Sequence, residues 1–578
     1  MTATGAPRLS VAQSEALPVR RPAATRAQQS VWVAPLVGIL VLAALLRFWQ
    51  LSSTPILYFD SGAYLGEGRF LASAAQRSAD AWLHPASDAP ANPLARVVRA
   101  VEDGTAGHPP DLAKPGQSIL VAIAILLFGP TTLAAGLVPA LAGLGTVAIT
   151  YTIGSAGWNR RVGVVAAFLL AISAEHLVYS REPLVESTGL FFATLASFVY
   201  LQRLVEPERF GGLGTLLVAG CLLGVAFACN NRLLYLPVML GSLELIFAWR
   251  DDALRRWQTV VLRVAALGVG FVLPIVVLEV AFLGAQALGA AFGSTPGFVD
   301  YAHQFVNFMR MNPASRARLD QWPTFFADLG LMDGLPLLAV FLVGTVVLLV
   351  RRAWSRADVF LAVSLLVPVV LFSVYSSGEV RMRNFSVVLP WAMLVAALGL
   401  CWVAERTRYP SVVVAVALCA LGLFTLPRDL SIIDAPTATD ELLDTLARSG
   451  IQRVASTNGP VLSYYLGEER TNARLRPAFI NTEADLQDIA ADYPYVEVDM
   501  QAYWTPGPVT DRAALVAPVY QAANGSDALF LAFLLERHGI GWGEWNDVLD
   551  EWQANRGAAT LMRLYRSSDL VGALPISR

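Results

Sequence analysis

Eleven apolar runs near 31–50, 132–153, 162–179, 184–204, 213–229, 233–249, 259–284, 334–350, 357–375, 385–404 and 410–426 constrain this chain more than any other feature. A helix of about 17 to 25 such residues crosses a hydrocarbon core of about 30 Å. With 55% hydrophobic and only 15% charged residues, a soluble enzyme is excluded, because soluble domains carry roughly one charge in four residues. The net charge of -3 leaves no basic field to attract nucleic acid. A further run, 117–128, has about twelve residues, which suits an interfacial or re-entrant helix better than a crossing.

Arginine sets the orientation. Residues 1–30 carry Arg8, Arg20, Arg21 and Arg26 among Pro, Ala and Ser and read as a disordered cytoplasmic tail. With that end inside, Arg160-Arg161, Arg203 with Arg209, Arg250 with Arg255-Arg256, Arg351-Arg352 with Arg356, and Arg406 with Arg408 all fall on the cytoplasmic side. Counting 117–128 as a crossing would reverse every later loop. The expected layout is an all-α polytopic membrane module over 31–427, with a long first external loop at 51–131. A small extracytoplasmic α/β domain follows over 428–578, where 21 acids stand against 12 arginines and TDELLDTLARSG then IQRVAST reads as helix, Gly stop and strand.

Charge at the ends of membrane helices needs a reason, and it gathers on the external side. FDSGAY (59–64) holds Asp60 among Tyr58, Phe59 and Tyr64, where desolvation would raise its pKa and suit it to accept a proton. Taken alone, Asp60 reads first as the N-cap of a helix over 61–75, since Asp before a helical pattern is a common cap. Glu182 and Glu186 are four residues apart and face one way on a helix, where Arg181 could pair with either or both acids could simply favour the helix dipole. Arg232, Arg381 and Arg383 lie where an anionic headgroup would meet the interface, and arginine's fork binds phosphate at two points; snorkelling at a helix end is the alternative. Lys114 is the sole lysine, in HPPDLAKPG after His108. His176 and His303 lack a second histidine at ligand spacing, and Cys221, Cys229, Cys401 and Cys419 lie in apolar runs as small buried hydrophobes. No GxxxxGK[ST], GxSxG, HExxH or CxxC pattern occurs.

The order YFDSGAY, HPPDLAKPG, a short helix ending in LLFGP, GLVPALAGLGTVAITYTIG, RRVGVVAAFLLAISAEHLVYSREPLVES and FACNNRLLYLP resembles the GT-C fold of polyprenyl-phosphate-sugar-dependent glycosyltransferases. It is most similar to the protein mannosyltransferases and the lipid A aminoarabinose transferases. The resemblance covers about 31–405 and stops short of the last 150 residues. It implies that Asp60 acts at the acceptor, with Ser61 where the family often has a second acid. Glu186, or Glu182 close by, would be the second acidic motif. Arg232, Arg381 and Arg383 would hold the lipid-linked phosphate. Lys114 matches the family's Lys-Pro-Pro turn with Gly116 in place of the second proline, and His108 is the rival register. Tyr64, His108 and Arg181 are the expected substrate neighbours.

The expected activity is inverting transfer of a sugar from a polyprenyl-phosphate donor to a protein, lipid or glycan acceptor on the outer face of the cell membrane. Such a reaction needs a base for the acceptor hydroxyl and cations for the leaving phosphate. Mg²⁺ or Mn²⁺ would fit if Asp60 and Glu186 converged, but no DxD-like pair is present and no metal ligand is assigned. The alternatives are a transporter or lipid flippase, which would place ionisable groups near the midplane of repeated halves, and a scaffold that displays the tail.

Overall fold

The computed structural model describes residues 33–87, 89–105, 114–250, 257–293, 301–311, 322–374, 381–465, 474–477, 482–504, 507–541 and 544–573. The arginine-bearing tail 1–30 and His108 lie outside the described residues. The membrane module is built from α1 (Val33–Phe48), α2 (Phe59–Leu83), α3 (Pro93–Thr105), α4 (Pro115–Phe128), α5 (Thr132–Gly157), α6 (Arg160–Ala171), α7 (Ala174–Arg181) and α8 (Val185–Val205). It continues with α9 (Leu213–Cys229), α10 (Tyr235–Arg250), α11 (Trp257–Ala291), α12 (Tyr301–Met311), α13 (Leu335–Leu349), α14 (Arg356–Val374), α15 (Leu389–Ala404) and α16 (Pro410–Ile433).

Among the described residues, each of the eleven apolar runs lies mainly on helix. Among the described residues, eight helices are long and apolar enough to cross a membrane, or nine if α6 and α7 count as one span; α9 and α13, with 17 and 15 residues, are shorter. The chain is a multi-pass membrane protein. At 14 residues α4 would reach only about 21 Å, and it packs as a short helix against α2. One expected span is not a single rod: the run 162–179 breaks between α6 and α7 with a 63° bend. Ser173 caps α7 by accepting from His176 N at 3.2 Å, and its hydroxyl donates to Asp333 at 3.0 Å. Side-chain bonds thus replace the backbone bonds lost at the break.

The two ends of the bundle are read from α5. Its first residue, Thr132, bonds Tyr465 of the C-terminal region at 2.9 Å. At its far end Trp158 donates to Asp358 at 2.9 Å, and Asp358 also accepts from Arg351 at 2.6 Å. The arginine loops at 351 and at 250, whose Arg250 donates to Trp354 O at 2.8 Å, therefore gather at one end. The first loop and the C-terminal region share the other.

That C-terminal region is α/β, as its pattern predicts. α17 (Thr439–Arg448) ends at Gly450, whose φ of 62° favours glycine, and β1 (Arg453–Ser456) follows. Then come α18 (Gly459–Tyr465), β2 (Arg474–Pro477), α19 (Glu483–Asp492), β3 (Tyr495–Val498), α20 (Pro508–Ala513), β4 (Tyr520–Ala523), α21 (Asp527–Arg537), α22 (Trp545–Ala559), β5 (Leu561–Arg566) and α23 (Ser567–Gly572). The sheet order is β2-β1-β3-β5-β4, with β1 parallel to β2 and β3, and β5 antiparallel to β3 and β4.

This region is fused to the membrane module through a shared core. In α21 every residue from Ala528 to Glu536 is buried, and Ala528 to Leu535 share one apolar cluster with Leu46, Tyr58, Leu177, Val178 and Ile433. Its large apolar side chains contribute about 1.5–3 kcal/mol each by burial. α18 lies directly on α2: a Cβ at Gly62 would stand 2.3 Å from Val461 N, so only hydrogen fits there. Arg69 donates to Tyr464 O at 2.8 Å, and the Tyr464 hydroxyl donates to Thr131 O at 2.9 Å.

Candidate active site at the junction of bundle and C-terminal region

The first loop enters α2 at Phe59, with Tyr58 in the N-cap position and no side-chain cap bond. Asp60 is therefore in the first helical turn rather than at the cap, and the helix runs over 59–83 instead of 61–75. Its carboxylate favours the helix dipole, but its partner comes from elsewhere. Asp60 Oδ2 accepts from Arg383 Nη1 at 2.7 Å, in the short turn Met382–Phe385 that precedes α15. Arg383 is 4% exposed and its Nε donates to Glu536 of α21, which also accepts from the Tyr179 hydroxyl of α7. One guanidinium thus joins the first loop, the bundle and the C-terminal region.

A second ion pair is formed by Arg232 and Glu186 at 2.7 Å. Pro183 and Leu184 precede α8, so Glu186 falls in its first turn, and Arg232 sits in the 3-10 turn after α9. Glu186 is 1% exposed, and among the described residues its buried Oε2 has no hydrogen-bond partner. Lys114 holds the N-cap position of α4, where Pro115 is pre-set for helix entry. Its ammonium donates to the Tyr64 hydroxyl and lies 4.9 Å from the centre of that ring.

The fields of these groups overlap. Burial by itself pushes the Asp60 carboxyl up, but Arg383 beside it, then Lys114 and Arg232, outweigh burial and hold it at about 2. This corrects the expected rise: the aromatic residues are present, and the cations prevail. Burial pulls Lys114 down to about 8, with Arg232 acting in the same direction and Asp60 and Glu186 restoring part. Tyr64 is raised, first by burial and then by Asp60.

The remaining predicted residues divide. Glu182 accepts from Leu57 N and from Ser61 Oγ, both at 3.2 Å, and burial pushes it up to about 8. It holds the strand of loop that delivers Asp60. Arg181 pairs with neither glutamate: it donates to the carbonyls of Leu46, Arg47 and Trp49 at 3.2, 3.1 and 2.9 Å and to Thr54 Oγ1 at 2.6 Å, which ties off the end of α1. Arg381 separates from Arg383 and stacks on Trp504 at 5.0 Å. His176 meets Arg47 at 2.6 Å. Among the described residues no three His, Cys, Asp or Glu side chains are grouped to hold a metal ion; Asp60 and Glu186 each face an arginine instead.

Sequence reasoning missed the contribution of the tail. Glu536, Trp504 and Gln501, whose Oε1 accepts from Phe59 N at 3.3 Å, all reach the first loop or its arginines. A carboxylate inside ALFLAFLLERH was the legible signal for Glu536, since such a helix must be buried and its acid paired.

A family sequence profile described as dolichyl-phosphate-mannose-protein mannosyltransferase matches residues 108–282. Over 113 residues the chain is 30% identical to dolichyl-phosphate-mannose–protein mannosyltransferase 1 of Candida albicans, a stretch that covers 19% of this chain and 13% of that protein. Among solved structures it is similar to ArnT from Cupriavidus metallidurans in the apo state, with a TM-score of 0.52, 12% identity, and 86% of this chain and 96% of that one covered. The same enzyme bound to undecaprenyl phosphate gives 0.51 at 13% identity, covering 86% and 97%. The oligosaccharyltransferase of Archaeoglobus fulgidus gives 0.50 at 14% identity, covering 83% and 71%. The chain has the GT-C fold. In this GT-C chain the profile match spans Lys114, Glu182, Glu186 and Arg232. It leaves out Asp60 and Arg383, which the fold brings to the same place.

Proposed function

We propose that the chain is a membrane glycosyltransferase that moves one sugar, with inversion, from a polyprenyl-phosphate donor to an acceptor hydroxyl on the extracytoplasmic face. The observation that carries this reading is the gathering of Lys114, Arg232 and Arg383 with Asp60 and Glu186 at one end of a lipid-embedded bundle. The cations suit a phosphate whose polyprenyl tail stays in the membrane. A carrier would place such groups at mid-bundle, and the comparisons do not favour that alternative.

The electrostatics suggest a sequence of events. Asp60 rests on Arg383 as a poor base. A donor phosphate drawn to Arg383, Lys114 and Arg232 neutralises their field, and the Asp60 carboxylate regains proton affinity only when the donor is in place. The acceptor oxygen then attacks the anomeric carbon, its proton passes to Asp60, and the bond to the phosphate oxygen breaks with the electron pair leaving on the polyprenyl phosphate. Glu186, with one oxygen unpartnered, is the second carboxylate in reach.

The test is to incubate purified protein with a panel of polyprenyl-phosphate sugars and acceptors and to follow donor consumption. Consumption of none of them would overturn the reading. The proposed topology is tested on whole cells in a cysteine-free background: Ser449→Cys, exposed in the C-terminal region, should react with an impermeant thiol reagent, and Ala353→Cys in the arginine loop should stay shielded. Reaction at 353 from outside would reverse the face assigned to the site.

A further inference from the structure

Gln117 is 0% exposed, and among the described residues neither its Nε2 nor its Oε1 has a hydrogen-bond partner. A buried primary amide left wholly unpaired is costly, and such a group in a native structure calls for an explanation, a bound ligand being one. The packing of α4 on α2 locates it. Asp60, Tyr64 and Gly68 follow at four-residue spacing along one stripe of α2. Lys114 meets Tyr64, and a Cβ at Gly68 would lie 2.4 Å from Val121 Cγ1. Gln117 is four residues before Val121, so it shares that face of α4 and falls between the Lys114–Tyr64 contact and the Gly68 contact. The adjacent Ser118 is already engaged, its hydroxyl donating to Glu67 at 2.5 Å.

An amide offers two donors and one acceptor held in a plane. That set matches a pair of neighbouring sugar hydroxyls, each of which both donates and accepts. The amide carries no charge, and the nearest assigned cation, Lys114, would repel a protonated amino sugar. We propose that Gln117 is a specificity-determining residue that reads adjacent hydroxyls of a neutral sugar on the donor, so that the wall between α2 and α4 is the sugar subsite. This deepens the function proposed above and rests on it.

The experiment compares two probes on the full-length protein in detergent: polyprenyl phosphate alone, and polyprenyl phosphate carrying mannose, glucose or galactose. Gln117→Leu preserves the volume of the buried side chain. It should bind sugarless polyprenyl phosphate as the unchanged protein does, while the extra affinity for the best sugar-linked probe falls by about ten-fold or more, as expected for lost hydrogen bonds. Gln117→Asn should restore part of that gap. Loss of affinity for both probes alike, or for neither, would overturn the sugar subsite and leave Gln117 a packing residue. Failure of the unchanged protein to bind polyprenyl phosphate would instead bring down the functional reading beneath it.

Discussion

Asp358 at the arginine-loop end and Glu186 at the other are both buried carboxylates, and their surroundings treat them differently. At the arginine-loop end Asp358 is saturated: it accepts from Arg351, from Trp158 Nε1 and from both the backbone and hydroxyl of Ser355 at 2.6 to 2.9 Å. Nearby, Glu244 takes Arg203 and lies 3.9 Å from Arg263. At the other end, among the described residues, Glu186 keeps an oxygen unpartnered and the Gln117 side-chain amide has no partner, while Asp60 shares its arginine with Glu536 and its side chain stays 44% exposed. A buried charge whose bonds are complete within the chain serves the fold. Charges arranged with capacity left over are poised for something that is not the chain.

The sharpest way to break that contrast is to neutralise one acid at each end. Asp60→Asn keeps size and most hydrogen bonding but cannot take a proton, so turnover should fall by about 10² to 10⁴ with donor affinity and folding retained. Asp358→Asn should lower the melting temperature and leave turnover per folded molecule unchanged. A near-normal rate for Asp60→Asn would remove it as the base and turn attention to Glu186, whose buried Oε2 has no partner among the described residues.

The next effect concerns donor binding. Arg232→Ala and Arg383→Ala each delete a charged hydrogen-bonding group, and donor affinity should weaken by about 1.5 to 3 kcal/mol in each. Arg383→Lys should recover only part, because one ammonium cannot hold a phosphate at two points and also keep Glu536. The Arg383 variants carry a second signature. With the guanidinium gone, Asp60 should climb from about 2 toward or above its ordinary 3.8, so the acid limb of activity moves to higher pH. Titration of donor affinity and of rate against pH in the same variants separates the two roles, and unchanged donor affinity in both alanine variants would leave these arginines as edge anchors.

Much of the fold was legible because hydropathy and arginine placement answer to the membrane directly, residue by residue. The helix break at Ser173 was not, since Asp333, which stabilises it, comes from 160 residues away. In the site, Asp60, Lys114, Glu186 and Arg232 stood out as charges in an apolar chain. The direction of Asp60's proton affinity did not, because it depends on Arg383, 323 residues distant, which no local window sees. Arg181 misled for the opposite reason: beside two glutamates in sequence, it turns to the carbonyls that end α1. Glu536 and Gln501 lay in a region that looked appended, and only the packing of α21 and α18 onto the bundle shows that they belong to the first loop.

The smallest effect probes Lys114 and sharpens the contrast further, because the cations named at the arginine-loop end are arginines and this one is a lysine. Burial brings it down to about 8, so in the ligand-free protein its charge is lost as pH rises through that value. A sugar-linked polyprenyl phosphate is a diester with one unchanging negative charge, so a basic limb in its affinity reports the protein and not the ligand. Donor affinity should therefore decline between pH 7 and 9 by about two- to ten-fold, the worth of one partly screened charge contact. Lys114→Arg carries a charge that does not titrate in this range, and its profile should be flat over the same interval even if its absolute affinity is lower. A basic limb that persists unchanged in Lys114→Arg would assign the titration to another group, and would take Lys114 out of the phosphate site.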